Sequence, residues 1–314
     1  MTPLLLPAVM PPLFRDLRGL SVEPEEARSI LRPQKDERYG FGFALSPYRG
    51  CAHGCRYCYV REYPNALHGP EAWGGWVAPK VNAPELLWSQ RHRLHGARVF
   101  MASATDPYQP LERECRLTRR CLEVLLLCPT TEVILHTRSP LVLQDLDLLR
   151  SFGDRLSVGF SIPTDDDAVR QVVEPQAPPI PSRWAAVERL AKAGIPVTLA
   201  VTPLMAVRDP QAFARRARVS GVSQAWVGGL RLLQRDPFYK VLADHGCLQV
   251  LDPAYAETVR AAFREAFPPP PRDRARRPRV AAPARAPVRA APHAVGPHQP
   301  GLFAPDTPPC LVGD

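Results

Sequence analysis

Cys51-Ala52-His53-Gly54-Cys55-Arg56-Tyr57-Cys58 sets three thiols at C-x3-C-x2-C spacing, with an aromatic residue just before the third. A short apolar run, residues 41–47, leads in, and Tyr48-Arg49-Gly50 turns the chain into the loop. Three thiolates this close, on a loop after a strand, can ligate one soft metal centre. A zinc site or structural cysteines are the other readings. Zinc usually takes four ligands from paired knuckles, whereas His53 lies inside this loop and no second C-x2-C follows. Cys115, Cys121, Cys128, Cys247 and Cys310 are scattered. Cys121 and Cys128 fall in an apolar helical pattern, where cysteine packs as a small hydrophobe.

Outward from the loop, the chain alternates between strand and helix patterns. Strands are expected at 41–46, 98–102, 132–136, 156–162, 195–201 and 224–232. Helices are expected at 83–95, 117–128, 141–152, 182–193, 210–219 and 255–267. Leu117, Cys121, Val124, Leu125 and Cys128 recur at helical spacing, and Gly194 stops the helix before it. Alternation of this kind implies βαβ units and a parallel sheet. The expected fold is therefore α/β, a partial (β/α)6 TIM-type barrel. Such barrels carry their chemistry at the C-terminal ends of the strands, where the cysteine loop falls.

The flanks read differently. Residues 1–38 look like an N-terminal extension, with a short helix expected at 24–31 because Pro24 suits a first turn. Residues 39–267 form the expected barrel domain. Residues 268–314 hold thirteen Pro with Ala and Arg between them. So little apolar surface cannot offset the entropy of ordering, and a disordered tail is expected. Seven Arg and three Asp there account for +4 of the +9 net charge. The remaining +5 is ordinary for a globular domain of 45% hydrophobic composition and is a weak signal for polyanion binding. No segment reads as membrane-spanning. Leu4-Leu5-Leu6 is broken by Pro3, Pro7, Pro11 and Pro12 and makes a poor signal peptide. A reducing cytoplasm without disulfides is the expected setting.

The cysteine spacing, with Tyr57 before Cys58, resembles the signature of the radical S-adenosylmethionine superfamily. Later motifs narrow the resemblance. Thr105-Asp106-Pro107-Tyr108-Gln109-Pro110-Leu111-Glu112, the tyrosines flanking Cys58, and Glu174-Pro175-Gln176-Ala177-Pro178 ahead of Arg183 resemble the spore photoproduct lyase-like branch, also described as DNA repair photolyase-related. It covers roughly residues 41–235. The resemblance implies that Cys51, Cys55 and Cys58 ligate three irons of a [4Fe-4S] cluster whose fourth iron binds S-adenosylmethionine. It implies further that flavodoxin or ferredoxin delivers an electron, and that the cofactor is cleaved to a 5′-deoxyadenosyl radical that abstracts hydrogen from a substrate.

Carried over residue by residue, the resemblance puts Tyr57 beside the cluster and the catalytic tyrosines at Tyr57 and Tyr59. Thr105 and Asp106 would lie near the methionine amino group. Arg138, ending the third strand, would meet the methionine carboxylate, as bidentate pairing allows. Ser161, ending the fourth, could bond the ribose. The lyase's hydrogen-donor cysteine is replaced here by Ser103, whose O–H is too strong to quench a carbon radical. Cys115 is the nearest other thiol in sequence. Nucleic acid is the first substrate expectation, with a protein or small molecule as the alternative. Readings from other classes are a zinc- or cluster-stabilised nucleic-acid-binding module without catalysis and a redox-sensing cluster protein. Arg208, Arg215, Arg216 and Arg218 could form a phosphate-binding face, although a solvated basic face is the commoner meaning. Gln299, Leu302 and Phe303 resemble the short pattern by which bacterial repair proteins dock on the sliding clamp, with Pro300 departing from it.

Overall fold

A computed structural model describes residues 19–34, 40–63, 68–230, 232 and 236–268. In chain order come strands β1 (Ser21–Val22), β2 (Leu31–Pro33), β3 (Phe43–Leu45), β4 (Tyr48–Gly50) and β5 (Trp76–Pro79), then helix α1 (Ala83–Ser89). Strand β6 (Arg98–Met101), helices α2 (Glu112–Cys115) and α3 (Leu117–Leu126), strand β7 (Glu132–Thr137) and helix α4 (Leu146–Ser151) follow. Next are β8 (Leu156–Ser161), α5 (Asp167–Val173), α6 (Ile180–Lys192), β9 (Val197–Val201), α7 (Pro210–Val219) and β10 (Gln224–Val227). Helices α8 (Pro237–Asp244) and α9 (Pro253–Ala266) complete the described part.

The main sheet has the order β10-β9-β8-β7-β6-β3-β2. Six of its strands run parallel in sequence order, and β2 lies antiparallel at one edge. Parallel neighbours need a crossover, which the helices supply. This is the expected partial (β/α)6 barrel. Val99, Met101, Leu135, Val158, Leu199 and Val201 on its strands are fully buried. Helix α3 buries Cys121, Leu122 and Leu125 against them, so Cys121 is a core residue as its spacing implied. Helices α7, α8 and α9 each start Asp-Pro. Asp209, Asp236 and Asp252 accept hydrogen bonds from first-turn amides while proline takes the position whose N–H is not needed.

Several local expectations give way to tertiary context. The 83–95 helix breaks after Ser89 into a 3-10 turn, Arg91–Leu94. The 141–152 helix begins as a 3-10 segment, Pro140–Asp145, started by Pro140 and the Ser139 cap. Residues 24–31 are not helical. Glu25 bridges Lys80, the Asn82 amide bonds both N and O of Ala27, and Leu31 enters β2. Ile30 and Leu31 are buried in the main core, so this stretch is built into the sheet. A second, three-stranded sheet has the order β1-β5-β4, and its β4 leads directly into the cysteine loop. The Pro-rich tail, with Cys310 and the Gln299, Leu302, Phe303 pattern, lies outside the described residues. Among the described residues no helix is long and apolar enough to cross a membrane.

Candidate active site

The cysteine loop leaves β4 through Gly50, whose φ is +75°. A side chain there would meet the Trp76 carbonyl oxygen at 2.6 Å, so only glycine fits. Thr105 Oγ1 donates to Gly50 O (2.6 Å) and accepts from Gln109 Nε2 (3.3 Å). Gln109 Oε1 in turn accepts from the Ala52 amide (2.9 Å). Further along, Gly54 packs backbone to backbone on Gly74, where a Cβ on Gly74 would lie 2.8 Å from Gly54 Cα. Cys51 and Cys55 are buried and Cys58 is half-buried. Burial pushes each thiol up to about 12, and the three also raise one another. They are therefore protonated until a metal takes them.

The opposite wall is ionic. Asp106 Oδ1 accepts from Thr137 Oγ1 (2.6 Å) and the Tyr108 amide (2.9 Å), and Oδ2 accepts from the Arg138 amide (2.8 Å). Burial alone would raise this carboxyl, but the His53 imidazole and these donors outweigh it and hold it well below the usual range. His53 Nε2 stands 3.5 Å from Asp106 Oδ2 without hydrogen-bond alignment. Arg138 Nη1 donates to Tyr57 Oη (2.8 Å) and to Glu174 Oε1. Glu174 also accepts from Tyr57 Oη and Arg183 Nη2. Its burial penalty is overcome by Arg138 and Arg183, and its pKa falls to about 2. Arg183, fully buried, further donates to Pro178 O (2.8 Å) and Ser161 O (3.3 Å).

Between the walls, Ala102, the residue after β6, has φ +74°, a conformation a non-glycine residue seldom adopts. Tyr59 Oη donates to Ser103 O (2.7 Å). Ser161 Oγ pairs with His136 Nε2 (2.8 Å). Burial and the nearby Arg138 lower His136 to about 4, so the imidazole is neutral near pH 7.

All nine residues singled out from the sequence, Cys51, Cys55, Tyr57, Cys58, Tyr59, Thr105, Asp106, Arg138 and Ser161, line one cavity together with Ser103. Arg138 is not a surface ion pair; its side chain is only 17% exposed. Cys115 is absent from the cavity lining and packs against the small cluster of Tyr48, Leu111 and Leu117. The Thr105–Glu112 run divides. Thr105, Asp106 and Gln109 serve the site, whereas Tyr108 bonds Asp145 (3.0 Å) and buried Glu112 accepts from Tyr48 and the Thr118 amide behind it. Glu174, Gln109, Thr137 and His136 carry more of the site than sequence reasoning gave them. The only signal for Glu174 was its place in the Glu174–Pro178 run. The arginines of the supposed phosphate face are mostly engaged. Arg208 pairs with Asp166, Arg216 with Glu188, and Arg218 lies over the Phe267 ring. That leaves a solvated, ion-paired face.

The donor set fits a soft metal centre: three thiols from one loop, Cys51, Cys55 and Cys58, open on one cavity.

Thiols and polar groups gathered at the strand ends of an open parallel barrel stand where such barrels place an active site. The chain belongs to the radical SAM superfamily, whose sequence profile matches residues 45–216, more than half of it. An uncharacterised protein of Methanocaldococcus jannaschii is 30% identical over 180 residues, 57% of this chain and 66% of the relative. One from Acidianus two-tailed virus is 31% identical over 200 residues, 60% of this chain and 64% of the relative. The chain thus spans less than two thirds of these relatives. A cysteine-to-serine mutant of spore photoproduct lyase superposes with TM-score 0.58 at 16% identity, covering 79% of this chain and 80% of the lyase. A lyase structure with bound AdoMet and dinucleoside spore photoproduct gives 0.54 at 17% identity, covering 71% and 65%. These likenesses establish a shared fold.

Proposed function

We propose that this protein is a radical S-adenosylmethionine enzyme acting on nucleic acid, in repair or modification. Cys51, Cys55 and Cys58 would hold a [4Fe-4S] cluster, and the cavity beside them would hold S-adenosylmethionine. Bound together and reduced by a flavodoxin or ferredoxin, these groups supply a 5′-deoxyadenosyl radical able to abstract hydrogen. The chain's own residues bind and orient. Glu174 and Tyr57 fix the Arg138 guanidinium, whose remaining N–H groups can pair with the methionine carboxylate. Asp106 anchors the Arg138 backbone and, with Thr105, forms the wall offered to the amino group. Ser161, oriented by neutral His136, is the partner offered to the ribose. Tyr59 lies against Ser103, at the place where a substrate would approach.

The observation that carries this reading is the convergence of all nine residues on one cavity at the strand ends. Superfamily membership supports the chemistry. The lyase likeness favours nucleic acid as substrate, and the net charge, +5 outside the tail, adds only a weak signal. The test is anaerobic cluster reconstitution followed by reduction with S-adenosylmethionine present. The expected outcome is four irons and four sulfides per chain, with 5′-deoxyadenosine released. One zinc per chain and no 5′-deoxyadenosine would overturn it.

A further inference from the structure

Of the run Glu174-Pro175-Gln176-Ala177-Pro178, the ionic wall uses only Glu174. The backbone of the run closes a tight turn. The Ala177 amide donates to Glu174 O (3.1 Å), and Pro175 presets φ at the first corner. Buried Arg170 donates to Glu174 O (3.4 Å) and Ala177 O (3.3 Å) and is itself held by Asp167. Arg183 donates to Pro178 O just beyond. The turn is thus pinned at both ends, and its two polar side chains go to different walls of the reaction cavity. Glu174 meets Tyr57, Arg138 and Arg183. Gln176 reaches the cysteine loop.

Two carbonyl oxygens face one atom of the Gln176 carboxamide, Ala52 O at 2.5 Å and Gly74 O at 3.1 Å. Only a donor satisfies both, so that atom is the amide nitrogen, with its two N–H groups. On the other side of the same residue, Gln109 Oε1 accepts from the Ala52 amide (2.9 Å). Ala52, only 6% exposed, therefore has its N–H and its C=O held by two glutamines from distant stretches of the chain. Gly54 packs on Gly74 beside them, and a Cβ on Gly54 would meet Gln176 Cδ at 3.5 Å and Gly74 Cα at 3.1 Å. These contacts fix the backbone between Cys51 and Cys55, and none of them uses a thiol. Removing the Gln176 donor takes a hydrogen bond from each carbonyl and loosens the loop from Gly74.

We infer that Gln176 is a positioning residue for the metal centre: it fixes the Ala52 carbonyl, and with it the spread of Cys51 and Cys55, before any metal is bound. The inference rests on the reading of those cysteines as metal ligands. It gives the Glu174–Ala177 turn two tasks, one toward each wall.

The test uses the full chain with its iron–sulfur cluster reconstituted without oxygen, and follows iron release to excess bathophenanthroline disulfonate. Gln176 is exposed, so Gln176→Leu opens no cavity in the core, and its circular dichroism should match the parent's. Gln176→Leu should release iron about tenfold faster than the parent, as loss of a group that orients metal ligands does. Gln176→Lys, which restores a donor able to serve both carbonyls, should stay within about twofold of the parent. Gln171→Leu removes another exposed glutamine, one that bonds Asp167 instead, and should release iron at the parent's rate. Equal rates for the parent and Gln176→Leu, or a Lys variant as fast as the Leu variant, would overturn the positioning role and leave the cluster standing. A parent protein that takes up no iron would overturn the ligand reading and the positioning role together.

Discussion

The two walls of the reaction cavity are built by opposite means. The cysteine wall is held by backbone approach and neutral hydrogen bonds: Gly54 on Gly74, Gln109 on the Ala52 amide, Thr105 on Gly50. Its thiols, raised to about 12, carry no charge near pH 7. The strand-end wall is held by buried charge, with Arg138, Glu174, Arg183 and Asp106 in one connected set. Two cations and two carboxylates balance there, and the ionised forms persist because each has a partner. On the proposed reading the first wall is completed by the metal it would bind, whereas the second balances its charges among its own residues.

The largest expected effect breaks the first wall without touching the second. Cys58→Ala should abolish the absorbance near roughly 400 nm expected of thiolate-ligated iron–sulfur centres and leave urea unfolding of the metal-free chain unchanged. Cys115→Ala should keep the absorbance. Full iron and sulfide in Cys58→Ala would remove the cysteine wall from the site. Next is Glu174→Ala, which leaves two buried guanidiniums without their shared carboxylate. It should lower stability by about 3–5 kcal/mol in urea titration; a change within error would show that the ionic wall is not a stabilising unit. The same residue sets a pH dependence. Its folded pKa, about 2, lies below the ordinary 4.5, so the unfolded chain takes up this proton first. The stabilisation is present above about pH 4.5 and is lost as pH falls toward about 2. Glu174→Gln should flatten stability over that window. The smallest effect sharpens the contrast. Arg138→Ala should keep the cluster and weaken S-adenosylmethionine binding by about 1.5–3 kcal/mol, read by calorimetry. Unchanged affinity would move the carboxylate's partner elsewhere in the cavity.

The same contrast explains what could be read from the chain. The cysteine wall is local: three ligands within one short loop. The barrel was legible because its strands alternate with amphipathic helices such as α3 and α7, whose apolar spacing survives folding. The ionic wall is not local. Tyr57, Arg138, Glu174 and Arg183 come from four separate elements, and no periodicity announces that Glu174 will accept from three of them. The small sheet was hidden for another reason. Strands of two to four residues are too short for an alternating pattern, and Trp76–Pro79 is buried at every position. At residues 24–31 a proline placed for a helix start was overruled by the Asn82 amide, which engages the Ala27 backbone as a neighbouring strand would.

The main sheet begins at β2 and ends at β10, and among the described residues these two do not pair. A closed barrel admits a substrate only through its mouth, as a bottle does. An arc also has a flank. A long polymer has no free end near an interior position and cannot be threaded down a mouth, but it can be laid sideways across a trough. On the proposed nucleic-acid reading, the two unpaired edges would let a parallel scaffold receive the middle of a chain.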